Sequence, residues 1–234
     1  TAKFAMGIWK SKVRFIGAGA IGIAAIWTLI TLIKPIIEGM KISVKSMNSS
    51  AAERETHRMD TDMSTKSVLI VFAIILIGLV ITFWDFVSAV PISAGLMWTL
   101  VVVGVVVALL IGFFVAAACG YMAGLIGTSA SPISGIGILA TIISSLVVYF
   151  IASENNLFAT EAGVQFATAM AIFMTSVVIA IASISNDNLQ DLKTGQLVGA
   201  TPWRQQIALL LGSVAGAIAI APVLNLLYQA YGFT

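Results

Sequence analysis

Between Asp85 and Glu154 the sequence carries no charged side chain. A water-soluble domain is about one quarter charged residues, so so long a gap leaves no way to solvate a surface. The gap is also much longer than the roughly 20 residues that cross a bilayer once. Its apolar runs show no strand-like alternation, and in lipid such runs satisfy their backbone as helices. The rest of the chain agrees: 59% of residues are hydrophobic, 9% are charged, and mean hydropathy is +1.05. The fold class is therefore all-α, a polytopic transmembrane helical bundle. A net charge of +2 is no nucleic-acid signature.

About six spans follow from the apolar runs: roughly Val13 to Ile33, Ser67 to Trp84, Trp98 to Ala118, Pro132 to Ile151, Val164 to Ile184 and Trp203 to Tyr228. Residues 1–37 form the first span, 38–66 a polar linker, and 67–234 the remaining helices of the same membrane domain. Lys10, Lys12 and Arg14 precede a full-length span rather than a short apolar region, so no signal peptide is visible there. Gly17-Ala18-Gly19-Ala20-Ile21-Gly22 matches a dinucleotide fingerprint, with Glu38 near the ribose-binding spacing. The context rules it out, since the residues after Gly22 are apolar all round and Glu38 follows a Lys34-Pro35 boundary. These glycines, like Gly120 with Gly124 and Gly212 with Gly216, suit close helix packing. Pro222 bends or breaks the last span.

The stretch Cys119 to Gly137, CGYMAGLIGTSASPISGIG, interrupts this pattern with glycines, hydroxyls and a proline. A helix ending near Gly124 or Gly127, and another starting at Pro132 with Ser131 as N-cap, give a broken or re-entrant segment. A half-helix beginning there aims unpaired N–H groups and a positive dipole end at the membrane interior, a site suited to a carboxylate. The candidate substrate-binding residues are Gly127, Thr128, Ser129, Ser131, Pro132, Ser134 and Gly135. The alternative is a short loop outside the membrane. Ser88 to Gly95 repeats the pattern S-A-x-P-I-S-small of Ser129 to Gly135, which is either a duplication or coincidence.

Two polar segments remain. Glu38 to Lys66 mixes Lys41, Lys45, Arg54, Arg58 and Lys66 with Glu53, Glu55, Asp60 and Asp62, and reads as a solvated linker with a short helix over Ser50 to Arg58. It holds His57, the one histidine, and an Asn48-Ser49-Ser50 glycosylation acceptor. Ser185 to Arg204 gathers Asp187, Asp191 and Lys193 among amides. Gln190 to Thr194 forms a short helix closed by Gly195, and Thr201-Pro202 opens the next one. Asp187 and Asp191 are candidates for proton coupling if partly desolvated; the plain alternative is a hydrated turn. Lysines and arginines fall on both sides of the spans, so the positive-inside rule fixes no orientation.

No zinc-protease, phosphate-loop or nucleophile-elbow motif occurs, and no His/Cys cluster. Cys119 stands alone, which excludes an internal disulfide and leaves a small buried residue. An intramembrane enzyme would need Ser129 or Ser131 near His57, or two facing carboxylates, so the chain is read as no enzyme, with no cofactor and no metal. A passive pore lined by Gly, Ser and Thr is the stronger rival to a carrier.

YMAGLIGTSASPISGIGI and SNDNLQDLKTGQLVGATPWRQQ, with the opening KFAMGIWKSKVRFIGAGAIG and Lys34-Pro35-Ile36, resemble the oligopeptide transporter family. The likeness is to its prokaryotic and yellow-stripe-like branch; the N-P-G and K-I-P-P-R motifs of the eukaryotic peptide branch do not occur here. The resemblance implies an internal piece of a longer, multi-pass transporter of the plasma (inner) membrane. It implies proton-coupled import of small oligopeptides or peptide-like metal chelates, with substrate, protons, lipid and a possible second copy as partners.

Overall fold

A computed structural model describes residues 2–48 and 58–232. Its described part is helical: α1 (Ala2–Ile8) passes through a π turn (Trp9–Val13) into α2 (Arg14–Asn48). There follow α3 (Thr65–Ser88), α4 (Ala94–Ile126), α5 (Ile133–Glu154), α6 (Glu161–Leu197) and α7 (Pro202–Tyr231). Six helices among the described residues are long and apolar enough to cross a membrane. The chain is a multi-pass integral membrane protein.

Two uncharged intervals set its thickness. Arg14 to Lys34 on α2 and Lys66 to Asp85 on α3 each span about 30 Å at 1.5 Å per residue, the depth of a hydrocarbon core. Between those rims α4 and α6 run side by side in the same direction. Gly112 lies against Ile181, and Gly120 against Ser185 and Leu189. Small residues at four-residue steps, Gly104, Ala108, Gly112, Ala116 and Gly120, give α4 the shallow surface that close membrane packing needs. At one end Gly104 receives the Phe83 ring of α3. Phe83 meets Phe173 edge-on at 5.0 Å, and Phe173 stacks on Phe86 at 4.4 Å. α5 runs antiparallel to α6, with Gly137 over Ile179, and α2 covers α5 through Ala25 and Gly135. α7 meets α6 at its first turn, where Gln205 lies against Gly195, and none of its described residues is buried.

Helix ends differ from the sequence expectation in one direction: they run longer. α2 continues through Lys34-Pro35, although Pro35 leaves the Thr31 carbonyl without its helical donor. α7 likewise continues through Pro222. α6 does not stop near Ile184 but reaches Leu197, and a glycine at positive φ, Gly199, closes it instead of Gly195. The Ala200 amide returns to the Gly195 carbonyl at 2.8 Å, a Schellman-type ending. Of the packing glycines expected, Gly22 and Gly120 meet neighbours, whereas Gly17, Gly19, Gly124, Gly212 and Gly216 meet none among the described residues. The Ser50 to Arg58 helix, His57 and the Asn48-Ser49-Ser50 acceptor fall wholly or partly in 49–57, outside the described residues.

Candidate functional site

The helix break is real but narrow. α4 runs on to Ile126, and Gly127 ends it at φ +93, a backbone that only glycine adopts without strain. Thr128–Ala130 form one 3-10 turn, and α5 starts at Ile133. Ser131 is not the N-cap. That position is Pro132, with no side-chain cap, and the Ser131 hydroxyl turns the other way. It reaches the Cys119 carbonyl of α4 at 3.2 Å and the amide of Asn186 on α6. One hydroxyl proton cannot serve two acceptors. Turning the Asn186 amide so that its NH2 donates to Ser131, while Ser131 donates to Cys119, satisfies all three groups. The Thr128 amide donates to Gln190 Oε1 at 2.9 Å, and Ser185 donates to the Ala116 carbonyl at 2.6 Å.

The break therefore lies against the polar end of α6, and its depth follows from α3. Phe83 sits opposite Gly104, so counting back along this antiparallel pair puts Lys66 level with about residue 121 of α4. Ser131, bonded at Cys119, is at that same rim. α5 then supplies 22 residues, long enough for a whole crossing. Gly135 is buried because α2 lies on it: a Cβ there would come within 2.5 Å of the Ala25 Cβ. Of the expected binding residues, Gly127 makes the turn, Thr128 and Ser131 pin it to α6, and Gly135 packs a helix. Ser129 and Ser134 alone present exposed side chains.

Asp187 and Asp191 stand on the same helix, not in a hydrated turn, and one turn apart on an exposed face. Buried Asn186, 3% exposed, is the residue between these two roles that sequence reading passed over. Its signal is periodic: Val178, Ala182, Ser185, Asn186 and Leu189 continue one helical face.

Part of the expected linker joins this region. Arg58–Asp60 form a 3-10 turn, and the Arg58 guanidinium donates to the Gly199 carbonyl at 3.0 Å. The Trp203 amide donates to the Thr61 carbonyl at 3.3 Å, and Gln206 bridges the Met63 amide and Asp62. This strap holds the α6–α7 turn against the start of α3. Arg58→Ala is expected to loosen it, while a Gly/Ser replacement of 49–57 leaves it in place. Disulfide trapping between cysteines at 61 and 203 reports the difference, and equal trapping with and without Arg58 would remove the strap's role.

No group of three or more His, Cys, Asp or Glu side chains able to hold a metal occurs among the described residues. The arrangement offers hydroxyls, amides and two exposed carboxylates at one end of the bundle.

A family model described as "OPT oligopeptide transporter protein" matches residues 1–234. A Haemophilus influenzae protein named "Putative oligopeptide transporter" is 55% identical over 230 residues, covering 98% of this chain and 36% of that protein. The chain thus spans about a third of the curated relative's length. No solved structure matches it. With its match extending over every residue, the chain belongs to the oligopeptide transporter family.

Proposed function

We propose that the chain is part of a carrier that imports small oligopeptides, or peptide-like metal chelates, by coupling to protons across the plasma membrane. The observation that carries this reading is the family match over the whole chain. The geometry supports it with a hydrogen-bonded polar seam, Ser131, Ser185, Asn186 and Gln190, at the rim of an otherwise uncharged bundle. Ser129 and Ser134 are the seam's exposed contacts for substrate. In this reading Asp187 and Asp191, both exposed, are the proton-coupling carboxylates.

The test is uptake by the full-length protein in proteoliposomes under an imposed proton gradient, with trialanine and an iron–peptide chelate as substrates. Saturable accumulation that collapses with an uncoupler is the expected result; simple equilibration would indicate a pore instead. Asp187→Asn or Asp191→Asn is expected to flatten the pH profile of uptake. Wild-type profiles in both would end the assignment of these carboxylates.

A further inference from the structure

Gln205, in the first turn of α7, carries a side-chain Nε2 that is sealed from solvent and has no hydrogen-bond partner. Its amide lies flat against the Cα of Gly195 on α6, where any Cβ would overlap it. Native structures keep few buried N–H donors without an acceptor. Beside this donor is a crevice between α6 and α7 of about 550 Å³, lined also by Asp191, Ala208, Leu209, Gly212 and Ser213.

Asp191 stands one turn before Gly195 on the same face of α6, so a carboxylate and the Gln205 side chain border one crevice. Asp191 makes no ion pair among the described residues. Of the nearby cations, the Lys193 ammonium donates to Gln196 at 3.0 Å, and Arg204 lies 5.3 Å from the Trp203 ring. Gly212 keeps the far wall open, since a Cβ there would meet nothing within 4 Å. The two ends of a glutamine amide exchange by a half-turn, so the NH2 can face the crevice.

A ligand that answers both groups carries a cation next to a carbonyl acceptor. The amino end of a peptide does so, with the ammonium and the first carbonyl on one Cα. The cavity's size is that of small-ligand sites in general. We propose that this crevice binds the amino end of the transported peptide, Asp191 accepting from the ammonium and Gln205 donating to the first carbonyl. The assignment rests on the peptide-import reading above and names the part of the peptide this chain holds.

The test compares trialanine, trialaninamide and N-acetyl-trialanine as substrates of the full-length protein in proteoliposomes. Acetylation is expected to raise KM about tenfold or more and amidation to leave it nearly unchanged, as for a site that loses one charge-assisted bond. Asp191→Asn and Gln205→Leu should each raise KM for trialanine by about tenfold and erase the discrimination against the acetylated peptide. Gly195→Ala, by displacing the amide, should reproduce Gln205→Leu. A second measurement is maleimide labelling of Ser213→Cys, which trialanine should slow and N-acetyl-trialanine should not. Equal KM for free and acetylated peptide, discrimination retained in the variants, or a Ser213→Cys thiol that stays unreactive overturns the proposal. Absence of peptide uptake by the wild type removes both readings, whereas uptake without amino-end discrimination removes this one alone.

Discussion

Asn186→Leu is expected to lower stability by about 1–3 kcal/mol and to abolish uptake, although it exchanges one amide for an apolar group of similar size. Asn186 is almost wholly buried and is the α6 partner of Ser131. Leucine leaves the Ser131 oxygen facing hydrocarbon with one hydrogen bond fewer. It also removes one of the two bonds that pin the turn between α4 and α5 to α6, leaving Thr128 on Gln190. Ser131→Ala alone should cost a similar amount, about 1–3 kcal/mol, because it leaves the buried Asn186 amide without its partner. The two changes together should fall short of their sum by about 1 kcal/mol, the mark of one shared interaction. An N-cap serine would give a different outcome, since its loss would be independent of α6 and additive with Asn186→Leu. Unfolding of the four proteins in detergent separates the cases, and strict additivity would break the link between Ser131 and Asn186.

That distinction marks where sequence reading stopped. The crossings were legible because lipid leaves a chain this apolar no other way to satisfy its backbone, and their number matches the six long apolar helices among the described residues. Their ends were not legible, because partners far along the chain decide them. Asn186, Asp187 and Asn188 are poor helix formers that read as a turn. The helix runs through them because Ser185 finds a carbonyl on α4 and Asn186 finds Ser131. Ser131-Pro132 has the local pattern of a cap, yet the hydroxyl takes its partners on other helices. Gly127 was readable as a breaker because its role is local, a positive φ. Gly195 was misread as a helix end because its role is to leave room for Gln205, ten residues on. The strap from Arg58 to Asp62 gave no signal either, since its partners are the Gly199 carbonyl and the start of α7.

Gly135→Ala should be nearly as damaging, and it separates packing from substrate contact in the family-matching stretch. The added Cβ would come within 2.5 Å of the Ala25 Cβ on α2 and 3.4 Å of the Ile21 carbonyl. Both Gly135 and Ala25 are buried, so neither helix can yield without moving its neighbours. Forcing the pair apart is expected to cost about 1–3 kcal/mol, and valine at 135 more. Ala25→Gly removes the clashing methyl and leaves the Ala25 Cα at 3.6 Å from the new Cβ, an ordinary contact. The double variant Gly135→Ala with Ala25→Gly should therefore recover more than half of the lost stability, and uptake with it. Ala25→Gly alone should be mildly destabilising, by roughly 1 kcal/mol for a helix-interior glycine. A glycine needed because substrate approaches its backbone behaves otherwise: a methyl at 135 would block that approach whatever stands at 25. Recovered stability without recovered uptake would return Gly135 to the substrate site. Recovery of neither would show that α2 and α5 do not meet through these two residues.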